Sequence, residues 1–163
     1  MNAPAKKASI PAKTEKPAAF VFGKRPETIS GKVEFPLPDG SMATLNCTFR
    51  YRTRKEFGEL WDDVANTAVR LATEQQEQSA KSDGDASKFT YAYMYERGDA
   101  ANAENAMKYL VSWGDENPPV TKESLNELFD QAPGASAALW DAYRSLCTCL
   151  LYTSDAADEE DSV

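Results

Sequence analysis

Residues 33–52 read VEFPLPDGSMATLNCTFRYR, and this stretch decides the class of fold. Val33 and Phe35 lead into Pro36, Leu37, Pro38, Asp39 and Gly40. Beyond the Asp-Gly pair, Leu45, Cys47, Phe49 and Tyr51 alternate with Thr44, Asn46, Thr48 and Arg50. A period of two puts the apolar residues on one face of a strand and the polar ones on the other, and Asp-Gly between two such runs is turn chemistry. The stretch therefore predicts a β-hairpin with one apolar face. Two strands alone are marginal in water, so the hairpin needs a cover, and the segment that follows is the nearest candidate.

That segment reads as a long helix over 53–78. Thr53 with Glu56 three residues on is a capping box: the hydroxyl accepts from the N3 amide and the carboxylate reaches back to the cap amide. Phe57, Leu60, Trp61, Val64, Ala65, Ala68, Val69 and Ala72 then recur at steps of three and four, a broad stripe that is expected to lie on the hairpin. The end of the helix, Glu74-Gln75-Gln76-Glu77-Gln78, is polar all round and runs into a Ser/Asp/Gly-rich linker over 79–88.

The second half is mainly helical in pattern. Phe89, Tyr91, Tyr93 and Tyr95 alternate with Thr90, Ala92 and Met94; on a strand the rings share one side, on a helix they form two i, i+4 pairs, and so short a run fits both. Buried, the row is core; exposed, it is a partner surface. Gly98-Asp99 is expected to break it. Asp99 or Asn102 then caps a helix bearing Ala103, Ala106, Met107, Leu110 and Val111 and ending at Trp113-Gly114. Thr121 caps a short helix with Leu125, Leu128 and Phe129 on one patch, stopped by Pro133-Gly134. A last helix from about Ala135 carries Leu139, Tyr143, Leu146 and Cys147 on one face. The class is α+β: an N-terminal β-hairpin packed on a long helix, followed by a mainly α-helical C-terminal half.

Both ends read as separate from this domain. Residues 1–17 hold three prolines and four lysines against one glutamate, with almost nothing large and apolar, which predicts a disordered basic arm. At the other end, residues 149–159 (CLLYTSDAADE) resemble one translated frame of a transposase sequencing adapter. On that resemblance residues 149–163 are adapter-derived, the natural C-terminus is interrupted near Thr148, and residues 18–148 form a single domain. The last fifteen residues carry five acids and no base, so of the 18 bases and 26 acids that give the chain its charge of −8, residues 1–148 keep 18 and 21, a net of −3.

With 42% hydrophobic residues, the 163-residue chain has enough apolar content for one modest core. No apolar run approaches the roughly 20 residues that cross a bilayer, so a soluble, intracellular protein is expected. The chain has no histidine, which removes the usual general base, the commonest zinc ligand and every Ser/His or Cys/His nucleophile pair. Its eight glycines form no phosphate loop. Asp62 and Asp63 are adjacent and do not face each other on a helix. Cys47 and Cys147, the two cysteines before the adapter-like tail, read as buried thiols. No catalytic constellation, cofactor or metal site emerges, so no enzyme is expected. One basic cluster stands out: Arg50, Arg52, Arg54 and Lys55 among Phe49, Tyr51 and Phe57. Alternation places its rings and charges on opposite faces, and net acidity opposes phosphate binding, so nucleic acid is an improbable partner.

Residues 101–113 (ANAENAMKYLVSW), 120–128 (VTKESLNEL), 132–134 (APG) and 138–144 (ALWDAYR) stand in an order that resembles the tail assembly chaperones of long-tailed bacteriophages. In that family a helix ends at tryptophan, a capped helix follows, then a Pro-Gly break and a helix ending in Ala-Tyr-Arg. The N-terminal half fits too, with its Pro-Asp-Gly turn and the run Phe-Arg-Tyr-Arg-Thr-Arg, so the similarity covers about residues 20–147. The resemblance implies a non-enzymatic assembly factor in the host cytoplasm that keeps the hydrophobic tape-measure protein soluble during tail morphogenesis and is absent from the mature virion. It also implies a longer frameshift product that recruits major tail tube protein; self-association is a further expectation, a membrane is not. A holding chaperone exposes apolar surface, for which Trp113, Phe129 and Trp140 are the candidates, with ordinary helix packing the alternative for each. Two other classes stay open: a structural tail component, and a small nucleic-acid or protein adaptor working through the 50–55 cluster.

Overall fold

The computed structural model describes residues 21–81 and 90–148. Strand β1 (Thr28–Pro36) and strand β2 (Met42–Arg50) form the expected antiparallel hairpin, with Val33 opposite Leu45, Gly31 opposite Cys47 and Ile29 opposite Phe49. The turn closes as its residues dictate. Gly40 takes φ +85°, a left-handed conformation open to glycine. The Leu37 N–H donates to the Ser41 carbonyl at 2.8 Å, and the Asp39 carboxylate accepts from the Ser41 N–H and hydroxyl at 2.9 and 2.6 Å. Those two bonds hold the Asp39 carboxyl below its ordinary range. Val33, Phe35, Cys47 and Phe49 turn one face inward and are buried. Burial pushes the Cys47 thiol up to about 12, so it packs as a protonated, unreactive group.

Helix α1 (Arg54–Lys81) starts at the expected capping box: the Thr53 N–H donates to Glu56 Oε2 at 2.8 Å and the Glu56 N–H to Thr53 Oγ1 at 3.3 Å. Helix α2 (Tyr91–Met107) is capped by Thr90, whose hydroxyl accepts from the Tyr93 N–H at 3.2 Å. Residues 91–95 are thus helical. Gly98 and Asp99 lie inside the helix, which corrects the expectation that they break the chain and that Asp99 or Asn102 caps a new element. The helix also stops short of Trp113. Its C-cap is Lys108, and strand β3 (Leu110–Ser112) adds to the free edge of β2, aided by an Arg50 N–H bond to the Tyr109 carbonyl at 2.8 Å. The sheet order is β1-β2-β3, all antiparallel. Helix α3 (Lys122–Gln131) has Thr121 as its cap in a reciprocal box with Ser124, and helix α4 (Ala135–Thr148) completes the α+β fold. The expected arm over 1–17, residues 82–88 of the expected linker, Phe89 and residues 149–163 lie outside the described residues.

The cover of the hairpin is α4, which corrects the expectation that α1 supplies it. Helix α4 buries Ala135, Leu139 and Tyr143 at steps of four and adds Leu146 to the same packing. It comes so close to β1 that a Cβ built on Gly31 would stand 2.6 Å from Leu146 Cδ1 and 3.4 Å from the Phe49 ring. By contrast, α1 reaches the core mainly through Phe57 and Leu60, with Val64 packed against it. Past Val64 its stripe is Ala65, Ala68, Val69 and Ala72, small side chains that offer little area to bury. Leu139, Tyr143 and Leu146 offer far more, and they take the sheet.

Two outcomes follow from this packing. Gly31→Val drives the Leu146 side chain out of its place against β1 and crowds the Phe49 ring, and should lower the urea-unfolding stability by about 1 kcal/mol, the low end of the cost of overpacking. The second concerns Glu56, whose carboxylate accepts from the Thr53 N–H and from Arg25 Nη1 at 2.8 Å. These bonds lower its pKa from 4.5 to about 2. A folded-state pKa below the unfolded one means stabilisation that is complete above the ordinary glutamate pKa and is lost as pH falls through about 2. The Tm difference between wild type and Glu56→Gln should therefore be constant near neutrality and close between pH 4.5 and 2.

Candidate partner-binding groove

Helices α1 and α2 run antiparallel, tied by polar side chains in descending register. Lys108 Nζ donates to Asp63 Oδ2 at 2.7 Å, Arg97 Nη2 to Glu74 Oε2 at 2.6 Å, and the Tyr93 hydroxyl to Gln78 Oε1 at 3.0 Å. With these contacts on one side, the apolar face of each helix is turned elsewhere. A cleft of about 240 Å³ shows that both turn the same way: Val64 of α1, Asn102 and Asn105 of α2, Tyr109, and Ser136 and Trp140 of α4 all line it.

Helical spacing carries this wall outward. From Val64, steps of three and four reach Trp61, Ala68 and Ala72, while Ala65 and Val69 lie further round the helix; from Asn102 they reach Gly98, Tyr95, Met94 and Tyr91. These side chains are largely uncovered. Tyr91 is 79% exposed, Tyr95 71%, Val69 64% and Met94 45%. The row 91–95 therefore forms surface, not core, which settles the two readings its sequence left open. Neither wall carries a charge from Trp61 to Ala72 or from Tyr91 to Asn105 along these positions.

The inner end of the groove is rigid and aromatic. Trp140 lies 5.3 Å from Trp61, 5.5 Å from Tyr109 and 6.0 Å from Phe57, the last pair stacked at 22°. Trp61 is itself 40% exposed, with the Arg144 guanidinium 6.0 Å above its ring. Of the three aromatics expected to present apolar surface, only Trp140 lines this groove. Trp113 is buried, its indole N–H donating to the Pro118 carbonyl at 2.6 Å, and shows one edge to a separate cleft of about 190 Å³ beside Leu128. Phe129 is buried within the core of α3. Trp113 and Phe129 take the alternative reading, ordinary packing, and offer no exposed ring: each sits on the inward stripe of its element. Tyr91 and Tyr95 belong to the aromatic row for which the sequence left a partner surface open, and their exposure takes that side of the reading.

The basic cluster divides. Arg52 is committed to the fold, with Nη1 donating to the Tyr143 hydroxyl at 3.0 Å and Nη2 to the Lys108 carbonyl at 2.7 Å. Arg50, Arg54 and Lys55 are exposed, Lys55 within 3.9 Å of Glu59. Among the described residues no group of acidic and sulfur side chains is arranged to hold a metal ion, and no helix is long and apolar enough to cross a membrane.

The contrast between the two ends of the groove is measurable. Trp140→Ala removes a ring from the aromatic cluster and should cost about 3–5 kcal/mol in chemical denaturation. Val69→Ser and Tyr95→Ser, both at exposed positions, should change stability by no more than about 0.5 kcal/mol.

A family-wide sequence model described as phage tail assembly chaperone matches residues 17–148. Searches among curated proteins and among solved structures each return no significant match. The family match takes in every described helix and strand, and with it the chain belongs to the phage tail assembly chaperones.

Proposed function

We propose that this chain holds the tape-measure protein in soluble form while a phage tail is assembled, acting by binding alone in the host cytoplasm and leaving before the virion is complete. Membership of the family supports a role in tail assembly and tail proteins as partners. The observation that carries the finer reading is the uncovered apolar face of α1 and α2, an unpartnered layer of the kind a holding protein needs. Of the three aromatics singled out in the sequence, Trp140 is proposed to meet the partner directly. Trp113 and Phe129 are proposed to act from beneath, by holding β3 and α3 in place. A longer product that recruits tail tube protein belongs to the same proposal, as does absence from the finished particle.

Co-expression with the tape-measure protein encoded in the same genomic neighbourhood tests the reading. The expected outcome is a shift of the tape measure from the insoluble to the soluble fraction and its co-purification with this chain. A tape measure that stays insoluble beside a well-folded, abundant chain, for residues 1–148 and 1–163 alike, would overturn it.

A further inference from the structure

A second cleft, which shares no lining residue with the groove, gathers the basic cluster that the sequence shows only in part. The hairpin runs one rung past the Thr28–Arg50 pair, with the Tyr51 N–H donating to the Glu27 carbonyl at 2.9 Å, so Arg25, Pro26 and Glu27 lie alongside Tyr51 and Arg52. Arg25 then reaches Glu56 in the first turn of α1 at 2.8 Å. These residues and Arg50 line a cleft of about 490 Å³, a size in the range of ligand sites. Lys24, Arg54 and Lys55 stand next to them in sequence and are exposed. Residues 24–27 and 50–56 together hold six bases and two acids, a net of +4, whereas the other described residues hold seven bases and sixteen acids, a net of −9. Charge is thus divided among the described residues, with its positive pole at this cleft.

One carboxylate is already seated here and shows how the cleft treats such a group. Glu56 accepts from Arg25 Nη1 and from the Thr53 N–H, both at 2.8 Å. Arg52 is engaged by neutral acceptors, the Tyr143 hydroxyl and the Lys108 carbonyl. Arg50 offers the same chemistry as Arg25 with nothing on it. It is exposed at the end of β2, and among the described residues neither its guanidinium nor that of Arg54 forms an ion pair or a side-chain hydrogen bond. A guanidinium is a planar fork matched to a carboxylate or a phosphate. Two observations choose the carboxylate. Glu27 and Glu56 line the cleft, and a phosphodiester strand, charged at every residue, would press against both of them and against the negative remainder, whereas a peptide carries its acids at a few positions. Bases would also lack a platform, because Phe49 and Phe57 are buried and Tyr51 is the one ring that lines the cleft.

We propose that this cleft is a second binding site of the chain, for an acidic segment of a protein partner. One carboxylate of the segment sits on Arg50, a neighbouring one on Arg54 at the start of α1, and Lys24 adds to the attraction. The site goes beyond the chaperone reading and does not rest on it: a partner held by charge at this cleft and one held by apolar contact at the groove meet different residues of the same copy.

The test titrates the full chain calorimetrically with three synthetic probes of about 12 units each: a Ser/Gly peptide bearing glutamates, the same peptide with glutamine in their place, and a single-stranded oligothymidine. The glutamate peptide should bind, with an affinity that falls about tenfold between about 50 and 300 mM salt, and the glutamine peptide should not. Arg50→Glu should weaken binding about tenfold or more and Arg54→Glu severalfold, with the circular dichroism spectrum and Tm unchanged, since neither side chain is tied into the fold. Lys122→Glu, an equal reversal of charge at an exposed position on α3, should leave binding within about twofold of wild type. Should Arg50→Glu alter the spectrum, Arg54→Glu decides alone. Equal binding of the glutamate and glutamine peptides, or a loss in Lys122→Glu as large as in Arg50→Glu, would overturn the proposal. So would tighter binding of oligothymidine than of the glutamate peptide, which would make the cleft a nucleic-acid site, or a salt-sensitive dimer of the free chain that Arg50→Glu dissolves, which would give it to a second copy. A chain that binds the glutamate peptide in this way yet fails to solubilise the tape measure would uphold the cleft and refute the chaperone reading.

Discussion

The hydroxyl of Tyr143 is the point at which the separate parts of this chain are joined. It donates to the Arg50 carbonyl at the end of β2 and accepts from Arg52, whose other nitrogen caps the Lys108 carbonyl at the end of α2. The ring below it is fully buried, stacked on Tyr109 at 4.8 Å and 10°, 5.5 Å from Phe49 and 5.8 Å from Phe57. Sheet, α1, the α2–β3 junction and α4 thus share one side chain. Burial lifts its phenol to about 12 against the opposing pull of Arg52, so it is a neutral donor at any physiological pH. Losing the hydroxyl would leave the Arg50 carbonyl and the Arg52 guanidinium each short of a bond in a place water reaches poorly, at a cost of about 1–3 kcal/mol.

This junction explains the asymmetry of the molecule. With β2 and α2 pinned at Arg52, α1 must leave the sheet directly after Thr53, and only its first turns pass over the aromatic cluster. Everything beyond Thr67 on α1, and before Ala101 on α2, lacks a fully buried side chain. That outer portion is joined by Glu74 with Arg97 and by Gln78 with Tyr93, polar contacts at partly exposed positions that each contribute little. The base is therefore the stable part and the outer part the readily deformed one, the distribution expected where a surface must adapt to a partner.

Much of the fold was legible because local chemistry and global packing agree at those positions. Asp39-Gly40 sets the hairpin, Thr53 with Glu56 and Thr121 with Ser124 start helices, and the spacing of Leu139, Tyr143 and Leu146 marks the inward face of α4. What was not legible depends on competition between distant segments. The stripe of α1 and that of α4 both qualify as covers for the hairpin, and only the volume of their side chains against Gly31 decides. Leu110-Val111-Ser112 is too short to show a period, so its capture by the edge of β2 is invisible beside the helical run that precedes it. The residue types at 91–95 fit either element until Thr90 is seen as a cap. The groove was only half legible for the same reason: the row at 91–95 could be core or partner surface, and Trp113 and Phe129 have the bulk of partner contacts but are taken first by the core.

A face of this composition also limits how firmly it can hold. On the reading proposed above, the anchors are few, and the walls offer amides, ring hydroxyls and small apolar side chains, with the Arg144 guanidinium over Trp61 at the inner end. Affinity then comes mainly from apolar contact at Trp140 and the tyrosines, and part of it is spent on ordering an outer arm that has no core of its own. Such contacts favour modest affinity and rapid exchange over a permanent complex. On that reading many copies coat a long partner and are still removed one at a time when a competing surface binds it. A rigid, charged, deeply buried site would hold one partner better and release it worse, so the weak outer half of the groove is consistent with a protein whose task ends in displacement.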